Sequence, residues 1–417
     1  MTNASERGAG GAEATGQADA APRVDPGLVV VVLSLLLGIQ PITTDVYLPA
    51  LPGLAADLQA SVASTQLTLS VLLFSFGGSQ LLLGPTADRF GRRPVLLAGL
   101  ALYVLGSIGG ALAQHVEALI GWRALQGVGV GAAVVCARAM VRDLYQPATG
   151  AHVMSRGLTG LGLIALPSPL LGGLLATAFG WRSALLVCAL FGAGTLALIA
   201  LRLPETAPLR NPRALQLGPM LRQWLAIGRH RGFIAWTALT SATYGGLFAY
   251  LAGSAFVFID VLGASKLACG VYIALNSSCY LAGTLWCRRW LLRHGVLGTV
   301  RRAAWFSLAG GGAMVALAFA GVHAPWAIFG PQMVYAFGHG MHQPCSQVAV
   351  VAPFPAHAGA ASALAGFVLA AVAVVVGGWL GLALDGTVYP LVLTIGTLAL
   401  ITAVVAWTLV QRHGELR

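Results

Sequence analysis

Asp45 is the one acid of this 417-residue chain that lies inside a long apolar run, away from its polar edges, in Thr44-Asp45-Val46-Tyr47-Leu48-Pro49-Ala50-Leu51-Pro52. Placing a carboxylate in hydrocarbon costs about 2.5–3.5 kcal/mol on insertion scales, so the group needs a partner, water or a proton. A carboxyl group in apolar surroundings holds its proton until water or a cation approaches. Asp45 is therefore a candidate proton carrier that exchanges its proton for a cationic or polar solute. The plainer reading is a helix-end acid that reaches out to the interface. A second charge lies in Leu119-Ile-Gly-Trp-Arg123-Ala-Leu-Gln126-Gly127, about five residues in from the end of another apolar run. That matches the depth of Asp45, so an Asp45–Arg123 pair is expected, direct or through water, with an arginine held by backbone carbonyls as the alternative. Arg138, nearer the opposite end of the same run, reads as an interfacial or cavity-mouth charge.

Further polar groups sit in other runs. His339-Gly-Met-His342-Gln343-Pro344 places two imidazoles at a helical spacing. With no acidic or cysteine partner evident, no metal is expected, and His339, His342 and Gln343 read as polar cavity lining together with Asn276, or as packing. Tyr47, Gln126, Tyr244 and Phe248 are further cavity candidates. The aromatic faces among them suit flat or cationic solutes, although aromatics in such runs are more often packing.

These residues need helices through a membrane to position them. The chain is 57% hydrophobic and 9% charged, with mean hydropathy +0.81, whereas a soluble domain carries roughly 25% charged residues. Continuous apolar runs fall at about 28–50, 66–86, 94–114, 118–141, 153–178, 182–203, 233–259, 268–292, 299–321, 325–349, 357–383 and 387–410. Each approaches the ~20 residues that span ~30 Å of hydrocarbon as helix; barrel strands would alternate over about 10 residues. The expected fold is an all-α polytopic membrane protein with about twelve transmembrane helices in two six-helix halves. The expected organisation is a disordered cytoplasmic tail (1–26), a first half (27–203), a Pro- and Arg-rich cytoplasmic linker (204–231), a second half (232–410) and a short cytoplasmic tail (411–417).

With the N-terminus in the cytoplasm, the cytoplasmic segments hold seventeen arginines, from Arg89, Arg92 and Arg93 to Arg412, and the outside loops only Arg182 and Lys266. The positive-inside rule selects this orientation, and a miscounted helix would scramble the asymmetry. The net charge of +11 is thus topological, and no nucleic-acid partner is expected. The six cysteines fall inside apolar runs without metal-type spacing and read as small core residues.

Two further segments have specific spacing. Gly84-x-x-x-Asp88-Arg89-x-Gly91-Arg92-Arg93-Pro94 lies between the second and third runs. Its glycines permit a tight turn, Asp88 can bridge to a neighbouring helix end, and the group reads as a charged latch at a cytoplasmic gate. In the fifth run, Pro167-Ser168-Pro169-Leu-Leu-Gly172-Gly173 marks a bend and a close helix contact, useful where halves rock against each other.

Together these segments resemble the signature motifs of the major facilitator superfamily, and most of all its twelve-span drug:proton antiporters of the Bcr/CflA (bicyclomycin and chloramphenicol resistance) type. The family's first-helix Asp-x-Tyr-Leu-Pro-x-x-Pro falls on Asp45, Tyr47, Leu48, Pro49 and Pro52, its fourth-helix Arg-x-x-x-Gly on Arg123 and Gly127, and its loop motif on Gly84, Asp88, Arg89, Gly91, Arg92 and Arg93. The antiporter motif, usually Gly-Pro-x-x-Gly-Gly, reads Ser168-Pro169-Leu-Leu-Gly172-Gly173, without its first glycine. Arg142-Asp143 and Ala360-Ala-Ser-Ala-Leu-Ala-Gly366 also look like this subfamily. The resemblance implies alternating access and proton-driven efflux of drug-like small molecules across a bacterial inner membrane, by a monomer embedded in lipid, with the proton gradient and no cofactor as the driving force. A native sugar, amino acid or siderophore is the alternative cargo. A polytopic membrane enzyme would need a nucleophile or metal cluster that the runs do not offer, and a channel would have no need of Asp45 and Arg123 at matched depth.

Overall fold

The computed structural model describes residues 25–207, 212 and 214–414; the expected N-terminal tail lies outside them, apart from its last residues, as do 415–417 of the C-terminal one. The fold is helical throughout. The first half comprises α1 (Pro26–Asp45), a short α2 (Leu51–Asp57), α3 (Val62–Phe90), α4 (Arg92–Ala111), α5 (Val116–Leu144), α6 (Pro147–Ala165), α7 (Ser168–Ala178) and α8 (Arg182–Arg202). After α9 (Leu217–Gly228) come α10 (Arg231–Phe256), α11 (Lys266–Phe319), α12 (Pro325–Val351), α13 (Ala358–Ala383), α14 (Tyr389–Trp407) and the terminal turn α15 (Leu409–His413). In hydrocarbon every backbone polar group must be satisfied within its own segment, and helices do this.

Among the described residues, ten helical segments are long and apolar enough to cross a membrane. Two features raise the number of crossings to twelve. As unbroken helix, the 54 residues of α11 would be about 80 Å long at 1.5 Å per residue, far beyond a ~30 Å hydrocarbon core. Gly295, at φ 62° and ψ −176°, breaks them. Contacts with α12 show that the chain reverses there. Gly283 and Cys287 meet Phe337 and Met341 in parallel order, whereas Gly310 and Val300 meet Tyr335 and His342 in antiparallel order. The twelfth crossing is α12, whose polar face leaves it outside the ten. The fifth crossing consists of two pieces, α6 and α7, that meet at Pro167.

The buried side chains form three clusters, and their placement decides the shape. One cluster belongs to the first half alone, from Val29 and Leu33 to Met140 and Leu203. Another belongs to the second half, with Phe233, Trp236, Val300 and Val350. Both lie toward the arginine-rich ends of the helices. The third cluster is shared by both halves at the arginine-poor end, where Tyr47, Leu51 and Trp181 join Phe256, Ile273 and Leu380. The two halves are therefore sealed together at one end and separately cored at the other.

Small residues allow close approach where helices cross. Added methyl groups at Gly127 and Gly131 would meet the Leu72 carbonyl and the Ser79 side chain of α3, whereas Gly121 of the same helix faces open space. We predict that Gly127→Ala lowers stability by about 1–3 kcal/mol through overpacking. Gly121→Ala should be neutral or raise it by up to ~1 kcal/mol, as read by thermal unfolding of the two variants in detergent.

Candidate functional site

Asp45 is the last residue of α1, with Pro41 one turn before it inside the helix. Its side chain is half-buried and accepts a hydrogen bond from Thr44 Oγ1 (2.8 Å). The expected pair with Arg123 is not formed: among the described residues the ion pairs involve other groups. Arg123 is fully buried and donates to Gln126 Oε1 (2.6 Å) and weakly to the Thr43 carbonyl (3.4 Å). Its guanidinium lies 4.1 Å from the centroid of the Tyr47 ring. Tyr47, two residues beyond Asp45, occupies the place beside Arg123 that was expected for the carboxylate; the backbone tightens at the end of α1, where the Tyr47 amide donates to the Thr44 carbonyl three residues back (3.2 Å). The Tyr47 hydroxyl meets Thr68 Oγ1 (2.8 Å), and Gln126 Nε2 donates to Ser107 Oγ (2.7 Å). Tyr47 and Gln126 are thus buried parts of the arginine's cradle rather than open cavity lining.

The seam beside Asp45 is built from backbone. A methyl group on Gly172 of α7 would strike the Val46 backbone, and one on Gly173 would strike Lys266 and Leu267 of α11. Gly270 of α11 packs in turn on the Pro169 carbonyl. Lys266, the chain's only lysine, donates from Nζ to the Ala176 carbonyl (3.4 Å) in the last turn of α7. Nearby, Gln66 Nε2 donates to the Ala252 carbonyl (2.5 Å) across the halves. Pro167 and Pro169 separate α7 from α6 and set the angle of this piece.

At the arginine-rich end the loop motif is a closed network. Gly91 has φ 103°, and a methyl group there would collide with the Glu205 carboxylate. Glu205 accepts from the Arg92 amide (2.9 Å) and the Arg93 amide (3.2 Å) at the start of α4, where an anion is favoured. Arg92 Nε meets Asp143 Oδ2 (2.9 Å) and its Nη1 meets Asp88 Oδ1 (2.5 Å). Arg93 donates to the Leu203 and Ala200 carbonyls at the C-terminal end of α8 (both 2.8 Å). Gly84 packs loosely near Val135, and Arg89 lies over the Phe90 ring. Asp143 and Glu205 complete the motif, and neither was nominated with it: one stands 51 residues and the other 113 from Arg92. Arg138 is exposed and reaches the other half, donating from Nη1 to Ser362 Oγ (3.2 Å).

In the second half, Gln332, Tyr335, His339, His342, Gln343 and Ser346 fall on one face of α12. His339 Nδ1 pairs with Thr243 Oγ1 (3.1 Å), between the rings of Tyr280 and Tyr244. His342 Nε2 meets the Val300 carbonyl (3.3 Å). The two histidines are thus bound to different helices. His342, Asn276 and Phe248 are buried, while Tyr244 and Gln343 are half-buried. Gln332, which the sequence did not single out, is fully buried with neither amide atom bonded to a described residue.

Two six-helix halves that meet at one end, with a half-buried acid at the seam, form a polytopic helical membrane protein. The Major Facilitator Superfamily model matches residues 33–378, and the chain belongs to that family; it is a membrane transporter and not an enzyme. It is 30% identical over 340 residues to Multidrug resistance protein D of Escherichia coli (strain K12), covering 81% of this chain and 84% of that one. To the bicyclomycin resistance protein homolog of Haemophilus influenzae it is 26% identical over 402 residues, 94% and 98% of the two chains. The crystal structure of a D-xylose-proton symporter shares the fold at TM-score 0.67 and 16% identity, covering 91% of this chain and 97% of that one.

Two predictions follow from the two ends. Glu205→Gln should lower thermal stability in detergent by about 2 kcal/mol, the scale of hydrogen bonds to a charged group, whereas Arg89→Gln should leave it unchanged. Lys266→Gln removes a cation from the end of α7, an interaction of about 0.3–1 kcal/mol. It should therefore shift the balance toward opening of the arginine-poor end by roughly two- to fivefold, measured by spin-label distances between L112C and F319C.

Proposed function

We propose that the protein exports small drug-like molecules in exchange for protons across the bacterial inner membrane, driven by the proton gradient alone. Its arginine-rich end faces the cytoplasm, in accord with the positive-inside rule. The observation that carries this reading is Asp45: a half-buried carboxyl group with a hydroxyl neighbour and, among the described residues, no basic partner, placed where α7 closes the two halves on each other.

In this reading the sealed, arginine-poor end faces the periplasm, and the exposed Arg138 lies toward the cytoplasmic end. Asp45 releases its proton to the cytoplasmic side when a solute enters, and cationic solutes favour the ionised form. The loaded transporter then rocks. The contacts of Gly173, Gly270 and Lys266 part, the cytoplasmic ends close, and solute leaves to the periplasm as Asp45 takes a proton there. Arg123 acts as a positioning residue, because its cradle of Gln126, Tyr47 and the Thr43 carbonyl fixes the end of α1. The half-buried faces of Tyr244 and Gln343 offer aromatic and polar contact to the solute, and the names of the two relatives, both resistance proteins, support a drug-like cargo.

The test is compound-induced proton release from energised everted vesicles. Wild type should dissipate the pH gradient on addition of some members of a broad panel of cationic and neutral antibiotics. Asp45→Asn should reduce that response about tenfold or more, as loss of the proton-transferring group does, with unchanged protein level. A wild-type transporter that moves no protons with any compound overturns the antiport reading.

A further inference from the structure

The segment joining the halves was expected to be polar chain, yet it contains the helix α9. Leu217, Leu221 and Leu225 fall within about 80° of arc on one side of it, and they are 66%, 52% and 58% exposed. Met220 and Ile227, on the adjoining edge, are buried, and Ile227 belongs to the second half's own core. The apolar arc is therefore divided. One edge docks on the protein and the rest is uncovered, with Arg222 and Gln223 on the opposite side.

The docking fixes the depth. Gly228, at the end of α9, approaches the Leu364 side chain, six residues beyond the start of α13 (358 to 364). At 1.5 Å per residue that is about 9 Å inside the end of a membrane-crossing helix, the depth at which amphipathic helices lie in the headgroup and acyl boundary. Arg222, Arg229 and Arg231 are exposed at or just beyond α9, and among the described residues none of them is in an ion pair.

We propose that α9 is an in-plane anchor in the cytoplasmic leaflet. Its leucine stripe inserts among the acyl chains, and Arg222, Arg229 and Arg231 bind the phosphates of anionic phospholipids. The occupant of this face is lipid rather than protein, because the face is set at membrane depth beside lipid-facing helices and is flanked by positive charge. The leaflet named rests on the orientation proposed above; the insertion itself does not depend on what is transported.

Nitroxides at L221C and at R222C, each in full-length C279A protein reconstituted in bilayers, test the insertion; Cys279 is the one cysteine that is not buried. The label at 221 should be accessible to oxygen and shielded from a water-soluble nickel chelate, and the label at 222 should show the reverse. Equal access of the chelate to both sites overturns the anchor. For the headgroups, wild type released from bilayers of phosphatidylglycerol and phosphatidylethanolamine should retain the anionic lipid several-fold more in native mass spectra. The R222Q/R229Q/R231Q variant should lose most of that preference, and equal retention by the two proteins overturns the arginine site. Both readouts leave transport out, so failure of either is separable from failure of the antiport reading.

Discussion

The rest of the structure depends on backbone meeting backbone around α7. This eleven-residue piece touches the end of α1 through Gly172 and the start of α11 through Gly173, while its Pro169 carbonyl receives Gly270. None of these contacts leaves room for a methyl group. Packed surfaces of this kind have discrete arrangements rather than a continuum, because a gap of even 1 Å forfeits much of the dispersion attraction. A seal made from such contacts is either shut or parted. That is the property a transporter needs at a gate, and it explains why the acid sits beside this joint and not deeper in either half.

The two halves handle polar groups differently. In the first half several charges are matched: Arg92 by two aspartates, Glu205 by backbone amides, and Arg123, apart from its Nε, by an amide, a carbonyl and an aromatic face. A satisfied network of this kind is rigid, since moving one member leaves its partner desolvated and unpaired. The second half instead carries Gln332, Gln343, Ser346 and Asn276 with atoms that have no bond to a described residue. Such groups are costly in an apolar medium.

Much of this was legible in the sequence because a membrane simplifies the reading. Apolar length counts the helices, and arginine asymmetry orders their ends; even α12, despite its polar face, was read as one of the apolar runs. Gly91 and the Gly172–Gly173 pair were legible for a similar reason, as a turn and a close approach admit few other residues. Partner choice was not legible. Equal depth along two helices suggested Asp45 for Arg123, but depth is one coordinate and azimuth is another. The tightened end of α1, where the Tyr47 amide bonds three residues back rather than four, sets Tyr47 beside the arginine, and no periodicity argument anticipates a change of helical pitch. The helix α9 was hidden by Pro219 and the surrounding arginines, which read as linker although the leucines between them repeat every four residues.

The separation of Asp45 from Arg123 bears directly on coupling. A carboxylate paired with a buried guanidinium would stay ionised, because protonating it would strand the positive charge. Freed from that pairing and given only a hydroxyl neighbour, Asp45 can cycle between its two forms without leaving another charge unmatched. The aromatic and amide partners of Arg123 are neutral, so they hold the guanidinium without competing for the proton. In the exchange proposed above, the cradle around Arg123 thus has two consequences: it holds the tip of α1 in place, and it leaves the neighbouring acid available for protons and solutes.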